Sequence, residues 1–314
     1  MVAVAEDLKG RDFTKVADWA PDELVQVLDL ADELKRAQKA GEEHRLLPGR
    51  TLGMVFQKPS TRTRVSFEVG IWQLGGLALY LSAADLQLGR GETVKDTAHV
   101  LSRYLDAIMI RTFAQADVEE LARNSTIPVI NGLTDSAHPC QALADVMTIR
   151  ERLGRLEGVR VAYFGDGNNV CASLMVAAAK LGMHFVAAVP AGYEPDEQAL
   201  ESARGAAEDT GAAIAVVHDP REAANGAEVL YTDVWTSMGQ EEERERRLRD
   251  LDGFGIRDAL LRLAEEDAIV LHCLPAHYGE EITEEILYSP RSAVWDEAEN
   301  RLHAQKALLA LVVR

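Results

Sequence analysis

The chain has 314 residues, 47% hydrophobic and 27% charged, which describes a soluble globular protein with two domains at roughly 150 residues each, both large enough to bury a core. Lys plus Arg number 33 against 51 Asp plus Glu, a formal charge of −18, and this balance argues against general affinity for nucleic acid or anionic membranes. An anionic ligand would need a local cationic site.

Met1 to Asp7 carries acids early and has no basic segment leading into an apolar stretch, so no signal or transit peptide is expected. A helix follows from Asp22 to Gln38, opened by Pro21, with Asp22 and Glu23 against the helix dipole and Leu24, Val27, Leu28, Ala31 and Leu34 on one face. Apolar β-rich runs then alternate with helical-period segments, the signature of βαβ units. The first half offers Leu52–Phe56, Leu77–Leu81, Ala107–Ile110 and Pro128–Ile130; the second offers Val159–Phe164, His184–Val189, Ala213–Val217, Glu228–Thr232 and Ile269–His272. The fold class expected is α/β: two three-layer α/β/α domains with parallel sheets, joined by linking helices around a cleft. The domains are residues 1–141, a linking helix over 142–153, a second domain over 154–290, and a C-terminal stretch over 291–314 whose helix, Glu297–Val313, packs back on the first domain.

Cys140, Cys171 and Cys273 are odd in number and far apart, so neither a disulfide framework nor a zinc knuckle is suggested and a reducing cytoplasm fits. The late apolar run Ala307–Val313 is too short to span a bilayer.

Four segments carry the chemistry. Ser60-Thr61-Arg62-Thr63-Arg64 follows a strand and opens the helix Val65–Leu74. Hydroxyls, unsatisfied backbone N–H groups, a helix dipole and a guanidinium converge there, as a phosphate dianion requires. An isolated Ser-Thr-Arg is more often an N-cap beside a surface arginine; hydroxyls on both sides of Arg62, Ser60 and Thr61 before it and Thr63 after it, at a strand-to-helix turn reverse that preference. His138-Pro139-Cys140-Gln141 puts an imidazole and an amide at the start of the linking helix, where a lone His is otherwise a turn residue. His272-Cys273-Leu274-Pro275 follows the last strand run, and open α/β sheets bind ligands beyond the carboxyl ends of their strands. Asp233-Val234-Trp235-Thr236-Ser237-Met238-Gly239 completes the set.

These segments, in this order, resemble the aspartate/ornithine carbamoyltransferase family, whose phosphate motif is S-T-R-T, whose second motif is H-P-x-Q, and whose ornithine branch carries H-C-L-P and a D-x-x-x-S-M-G loop. The resemblance runs through Asp85 to Glu92 and on to Glu299-Asn300-Arg301-Leu302-His303. It implies that carbamoyl phosphate binds Ser60, Thr61, Arg62 and Thr63, with Gln87, Arg111, His138 and Gln141 completing the anion and carbonyl pocket, Cys273 and Leu274 at the reacting centre, and Arg301 reaching the same substrate. It also implies that Asn169, Asp233, Ser237 and Met238 hold L-ornithine. Cys273, Arg111, His138 and Asp233 are the implied catalytic groups.

The reaction implied is transfer of the carbamoyl group to the δ-amine of L-ornithine, giving L-citrulline and phosphate, a step of the arginine-biosynthesis or urea-cycle type. An alkylamine of pKa ~10.4 must lose a proton before it attacks, and Cys273 and Asp233 are the candidates to favour that loss. Thr63, Arg111 and His138 would stabilise the oxyanion. Ordered binding, carbamoyl phosphate first, is expected, with the Ser237-Met238-Gly239 loop closing as a lid. The charge run Glu241–Arg247 reads as a solvated helix laced with i,i+4 pairs. No cofactor, metal, nucleic acid or membrane is called for, and the resemblance implies a homotrimer or a multiple of trimers in the cytoplasm.

Two other readings are weaker. Gly165-Asp166-Gly167-Asn168-Asn169-Val170 follows a strand, as a dinucleotide fingerprint would, but Val170 stands in place of the third glycine and no acidic residue closes the next strand. A non-catalytic member of the fold would be expected to lose Arg111, His138 or Cys273, and all three stand.

Overall fold

The computed structural model describes residues 8–84, 86 and 91–313. These form two compact units, the division falling between Met147 and Thr148 and again between Ala298 and Glu299.

The first unit begins with α1 (Pro21–Lys39), where Pro21 occupies a first-turn position and the Glu23 carboxylate accepts the Ala20 N–H at 2.8 Å. Leu24, Val27, Leu28, Ala31 and Leu34 are its buried face, as the periodicity predicts. Then follow β1 (Thr51–Phe56), α2 (Thr61–Gln73), β2 (Leu77–Ser82), α3 (Val94–Leu101), β3 (Ala107–Arg111), α4 (Gln115–Asn124), β4 (Val129–Leu133) and α5 (Pro139–Leu153). The sheet is parallel, in the order β2-β1-β3-β4. Every residue of β3 is buried, as a strand covered on both faces must be, and Val55, Ile108, Ile110, Val118, Leu121 and Val129 share one core.

The second unit runs through β5 (Arg160–Phe164), α6 (Asn169–Lys180), β6 (His184–Ala188), α7 (Glu197–Thr210), β7 (Ile214–Val217), α8 (Pro220–Ala224), β8 (Val229–Thr232), α9 (Arg244–Asp250), α10 (Asp258–Leu261), β9 (Ile269–Leu271) and α11 (Glu284–Leu287). Its parallel sheet has the order β7-β6-β5-β8-β9. The core gathers Phe164, Leu230, Ile256, Val270, Ile282 and Leu287. The last helix, α12 (Val294–Val312), starts in this unit, and its residues from Glu299 onward belong to the first.

All the strand runs expected from the sequence are strands, with ends displaced by a few residues. In each sheet the strand order reverses once, between β1 and β3 and between β5 and β8. Such switch points leave a crevice at the carboxyl ends of the two flanking strands; Ser60–Arg64 follows β1 and Asp233 follows β8, while His138 follows β4 and His272–Cys273 follow β9, each the next strand along its sheet.

Candidate active site

In the first unit, β1 ends at Phe56 in register with Arg111, the last residue of β3. The Gln57 N–H donates to the Arg111 carbonyl at 2.8 Å, tying the turn that follows β1 to the end of β3. The β3–β4 register shifts between Ile110 and Arg111, a local irregularity at the switch point. Arg111 itself is buried.

Ser60 caps α2: its Oγ accepts the Thr63 N–H and donates to Thr63 Oγ1, both at 3.2 Å. Arg301, on α12, donates from Nη2 to Thr63 Oγ1 at 3.2 Å and from Nη1 to Gln141 Oε1 at 2.8 Å. Gln141 passes its own Nε2 to Asp145 Oδ1 at 2.8 Å, one turn further along α5. With its amide oriented to satisfy both ends, Gln305 accepts from Arg301 Nε at 3.0 Å and Nη2 at 2.9 Å and donates to Ser66 Oγ at 2.6 Å. The guanidinium is thus held on several edges, with the positive end of α2 beside it.

His138 precedes α5, and its carbonyl accepts from the N–H groups of Gln141 and Ala142. Burial first, then the charges of Arg301, Arg111 and Arg62, push its pKa well below the ordinary histidine range. The imidazole is therefore neutral and can donate or accept one hydrogen bond without adding charge. That three guanidinium groups act on one imidazole shows how a chain of net charge −18 builds a positive field in one place. Cys140, in the variable position of that motif, is buried and its thiol is pushed up to about 12, an inert core residue. Thr61 is exposed and Arg62 half-buried at the head of α2. Gln87 lies outside the described residues, as do Asp85 and the residues 88–90.

In the second unit, Asp233 follows β8 and is buried. Cys273 Sγ donates to its Oδ1 at 3.0 Å, and Asn168 Nδ2 donates to its Oδ2 at 2.8 Å. Asn168 is fixed in turn: as the cap of α6, its Oδ1 accepts the N–H groups of Val170 and Cys171 and the Tyr163 hydroxyl at 3.1 Å. The Asp166–Asn168 turn, which superficially resembles a nucleotide fingerprint, thus serves to hold a carboxylate. Asn169 is the first residue of α6 beside it.

The Cys273 turn is held by hydrogen bonds on the residues either side of it. His272 takes Glu297 Oε2 on its N–H at 2.9 Å, its Nε2 donates to Glu281 Oε1 at 3.1 Å, and its Nδ1 accepts the Leu274 N–H at 2.9 Å. Leu274 has φ 59°, left-handed backbone that a leucine adopts only under constraint. Ser237 and Met238 lie on the loop after Asp233; Gln240 Oε1 accepts the Ser237 N–H at 3.1 Å, Glu241 accepts the Gly239 N–H, and Met238 is exposed.

The structure therefore brings Ser60, Thr63, Gln141 and Arg301 into one hydrogen-bonded group around which Arg62, Arg111 and His138 gather, and Asp233 with Cys273 into another. Asp145, Gln305 and Asn168 hold these groups and were not singled out from the sequence. Asp145 and Gln305 lie four residues beyond Gln141 and Arg301 on the same helices, so a search for polar partners at i,i+4 would have found them. The charge run also differs from expectation. Arg247 does pair with Glu243 at i,i+4, at 3.1 Å, but it is buried, with Nη1 donating to Asp166 Oδ2 at 2.7 Å and to the Trp235 carbonyl at 3.2 Å.

Residues 11–151 match the family model described as the aspartate/ornithine carbamoyltransferase carbamoyl-P binding domain, and residues 157–312 the one described as the Asp/Orn binding domain. The chain is 56% identical to the ornithine carbamoyltransferase of Pyrococcus horikoshii over 306 residues, 98% of this chain and 96% of that protein. It is 56% identical to the anabolic ornithine carbamoyltransferase of Pyrococcus furiosus, over 98% of this chain and 97% of that one. The solved structure of the Pyrococcus furiosus enzyme superposes with a TM-score of 0.95 at 55% identity, covering 99% of each chain. That of the Thermus thermophilus enzyme gives 0.86 at 45%, covering 96% and 99%.

Proposed function

The chain belongs to the aspartate/ornithine carbamoyltransferase family, and we infer that it transfers the carbamoyl group of carbamoyl phosphate to the δ-amine of L-ornithine, giving L-citrulline and phosphate in arginine biosynthesis. The observation that carries this reading is the Cys273–Asp233 pair at 3.0 Å, a thiol and a carboxylate offered to a cationic amine.

We assign the phosphate to Ser60, Thr61, Arg62 and Thr63 at the head of α2, with Arg301 and Gln87, and the carbamoyl oxygen to Thr63, Arg111 and His138, with Gln141 beside them. The dianion meets N–H groups, hydroxyls and guanidinium groups together, as a departing phosphate requires. The neutral His138 donates one hydrogen bond to the oxygen where negative charge grows, and Arg111 supplies the countercharge. On the amino-acid side, Asn169, Asp233, Ser237 and Met238 hold ornithine, and Cys273 and Leu274 line the reacting centre. The δ-amine reaches its nucleophilic form by giving up a proton, and Asp233, the carboxylate on which Cys273 and Asn168 both donate, makes that loss easier. The neutral nitrogen then forms a bond to the carbamoyl carbon, the C–O bond to phosphate breaks, and the second proton that the nitrogen sheds leaves on the departing phosphate.

The active assembly is a homotrimer or a multiple of it. Support comes from the edge strand β2 and the helix before it, where Trp72 is 72% exposed, Leu77 57%, Val65 52%, Leu79 42% and Tyr80 41%, an apolar edge that calls for cover. Its place is the cytoplasm, with which three free cysteines agree. No helix among the described residues is long and apolar enough to cross a membrane.

The test is a citrulline assay with carbamoyl phosphate and a panel of ornithine, putrescine, aspartate and N-acetylornithine. Ornithine is expected to be preferred; preference for any other acceptor overturns the assignment of the second substrate.

A further inference from the structure

Beyond Pro275 the chain turns back so that three side chains unused by carbamoyl transfer face one point. The ligand atoms of His277, Glu280 and Glu281 all lie within 4.8 Å of one another. His277 Nδ1 is 4.0 Å from Glu280 Oε2 and 3.9 Å from Glu281 Oε2.

The carboxylates are unusual in their surroundings. Glu281 is 0% exposed, and no lysine or arginine is paired with it among the described residues. Its Oε1 accepts from His272 Nε2 and from the His277 backbone N–H, while its Oε2 has no hydrogen-bond partner. His272 offers Glu281 one N–H only: its Nδ1 accepts the Leu274 N–H, which leaves Nε2 as the donor to Oε1. Glu280 Oε2 is likewise buried without a partner, its Oε1 being held by Arg244 of α9. A buried carboxylate oxygen that meets neither a donor nor a countercharge is costly, and the cost is removed by a cation placed on it.

We propose that His277 Nδ1, Glu280 Oε2 and Glu281 Oε2 bind one divalent transition-metal cation of the zinc, cobalt or manganese class. One imidazole and two carboxylates suit such ions. Metal–ligand bonds of about 2.0–2.2 Å in tetrahedral geometry set ligand atoms roughly 3.4 Å apart. The observed separations therefore close by a small movement, and the exposed His277 ring is the part able to make it. The two carboxylates are already oriented by His272 and Arg244, which is the outer support that metal ligands need. The ion would fix the turn on which Glu281 holds His272, and through it the backbone before Cys273. The site does not depend on which amine the enzyme carbamoylates.

The competing account is a protonated His277 that merely pairs with both carboxylates. A Co²⁺ titration separates the two, and also separates this site from the neighbouring Asp233, His272 and Cys273 atoms that lie close enough to share an ion. The probe is cobalt chloride, added to the full chain carrying Cys273→Ser, which removes the only thiolate in reach. One Co²⁺ per chain is expected, with visible ligand-field absorption and no near-ultraviolet thiolate charge-transfer band. Adding His277→Ala, a change at an exposed position, should weaken binding by roughly tenfold or more, with circular dichroism unchanged, and Glu281→Gln should do the same. Uptake equally tight in the His277→Ala chain, or none at millimolar Co²⁺ in its parent, overturns the proposal.

Discussion

The Cys273 thiol donates to Asp233 Oδ1 at 3.0 Å while Asn168 donates to the other oxygen at 2.8 Å, so the carboxylate is oriented from both sides before any substrate arrives. Removing the thiol leaves Asp233 tethered on one side only. A hydrogen bond to a charged group contributes about 1.5–3 kcal/mol, so Cys273→Ala should lose roughly tenfold to a hundredfold in kcat/KM for ornithine. Carbamoyl phosphate affinity, measured by calorimetry, should stay within about twofold, because the thiol's partner, Asp233, is proposed to serve the amine. Equal loss for both substrates contradicts the assignment.

Arg111 stands at the end of β3, against the turn that leads to Ser60. In the proposed role of meeting the developing oxyanion, it would contribute on the order of 3 kcal/mol to the transition state. Arg111→Ala should therefore turn over at least a hundredfold more slowly, with circular dichroism and melting behaviour close to those of the parent. Near-normal turnover would sink this role.

How far the sequence carries is clear at particular positions. Alternation of apolar runs with helical periods yields the strands, because parallel strands covered on both faces, such as β3, must be continuously apolar, and the more exposed edge strands β2 and β7 keep apolar runs as well. Ser60 to Thr63 is legible because a cap and an anion site use the same donors, all local in sequence. Arg111 and Arg301 are legible only through resemblance: nothing local distinguishes Arg301 from any other arginine on a helix, and its meaning comes from Thr63 and Gln141, which the fold brings to it. Arg247 misleads for the converse reason. Its neighbours Glu243, Arg244, Glu245 and Arg246 give a pattern that fits a solvated helix, whereas Asp166, far away in the chain, draws it inward.

His303 makes stability fall in acid. It is buried, and burial, then the Lys306 charge, lower its pKa to about 4, against the partial support of Glu299. The unfolded chain takes up this proton near pH 6.5 and the folded chain only near 4, so stability is lost as pH falls across that window, by up to ~1.4 kcal/mol per unit. His138, also depressed by burial, adds a slope of the same sign. Urea unfolding of His303→Gln from pH 7 to 4.5 should show a shallower decline than the parent; identical slopes rule the mechanism out.

Lys306 acts at the alkaline end. It is fully buried, and its ammonium donates to Gln38 Oε1 at 2.9 Å and Gln73 Oε1 at 2.8 Å, with His44 Nε2 at 3.1 Å, none of them an acid. Burial lowers its pKa to about 8. Between pH 8 and the ordinary lysine value of about 10.4 the unfolded chain holds a proton that the folded chain has shed, so this residue makes stability rise with pH there. The stability difference between the parent and Lys306→Met should therefore grow in the parent's favour from pH 8 to 10. A difference independent of pH would refute the depressed value.

Arg247 joins the ornithine-side loop to the turn that bears Asn168. Its Nη1 holds both Asp166 and the Trp235 carbonyl, two residues past Asp233, and its Nε holds Glu243. Arg247→Met removes these donors and leaves a half-buried carboxylate and a carbonyl without them. Burial already raises the Asp166 pKa against the pull of Arg247, so without the guanidinium this acid becomes neutral more readily. The loop then loses the anchor that sets the position of Asp233, and the KM for ornithine should rise by roughly tenfold or more, the effect of losing a hydrogen bond to charge. Carbamoyl phosphate affinity should be unaffected, since Ser60, Thr63 and Arg301 are untouched. Arg247→Lys should rescue only in part, because one ammonium cannot reproduce a planar fork on three acceptors. Steady-state kinetics with each substrate varied in turn checks this: a KM for ornithine equal to that of the parent in Arg247→Met would show that the buried arginine supports the fold and does not position the loop.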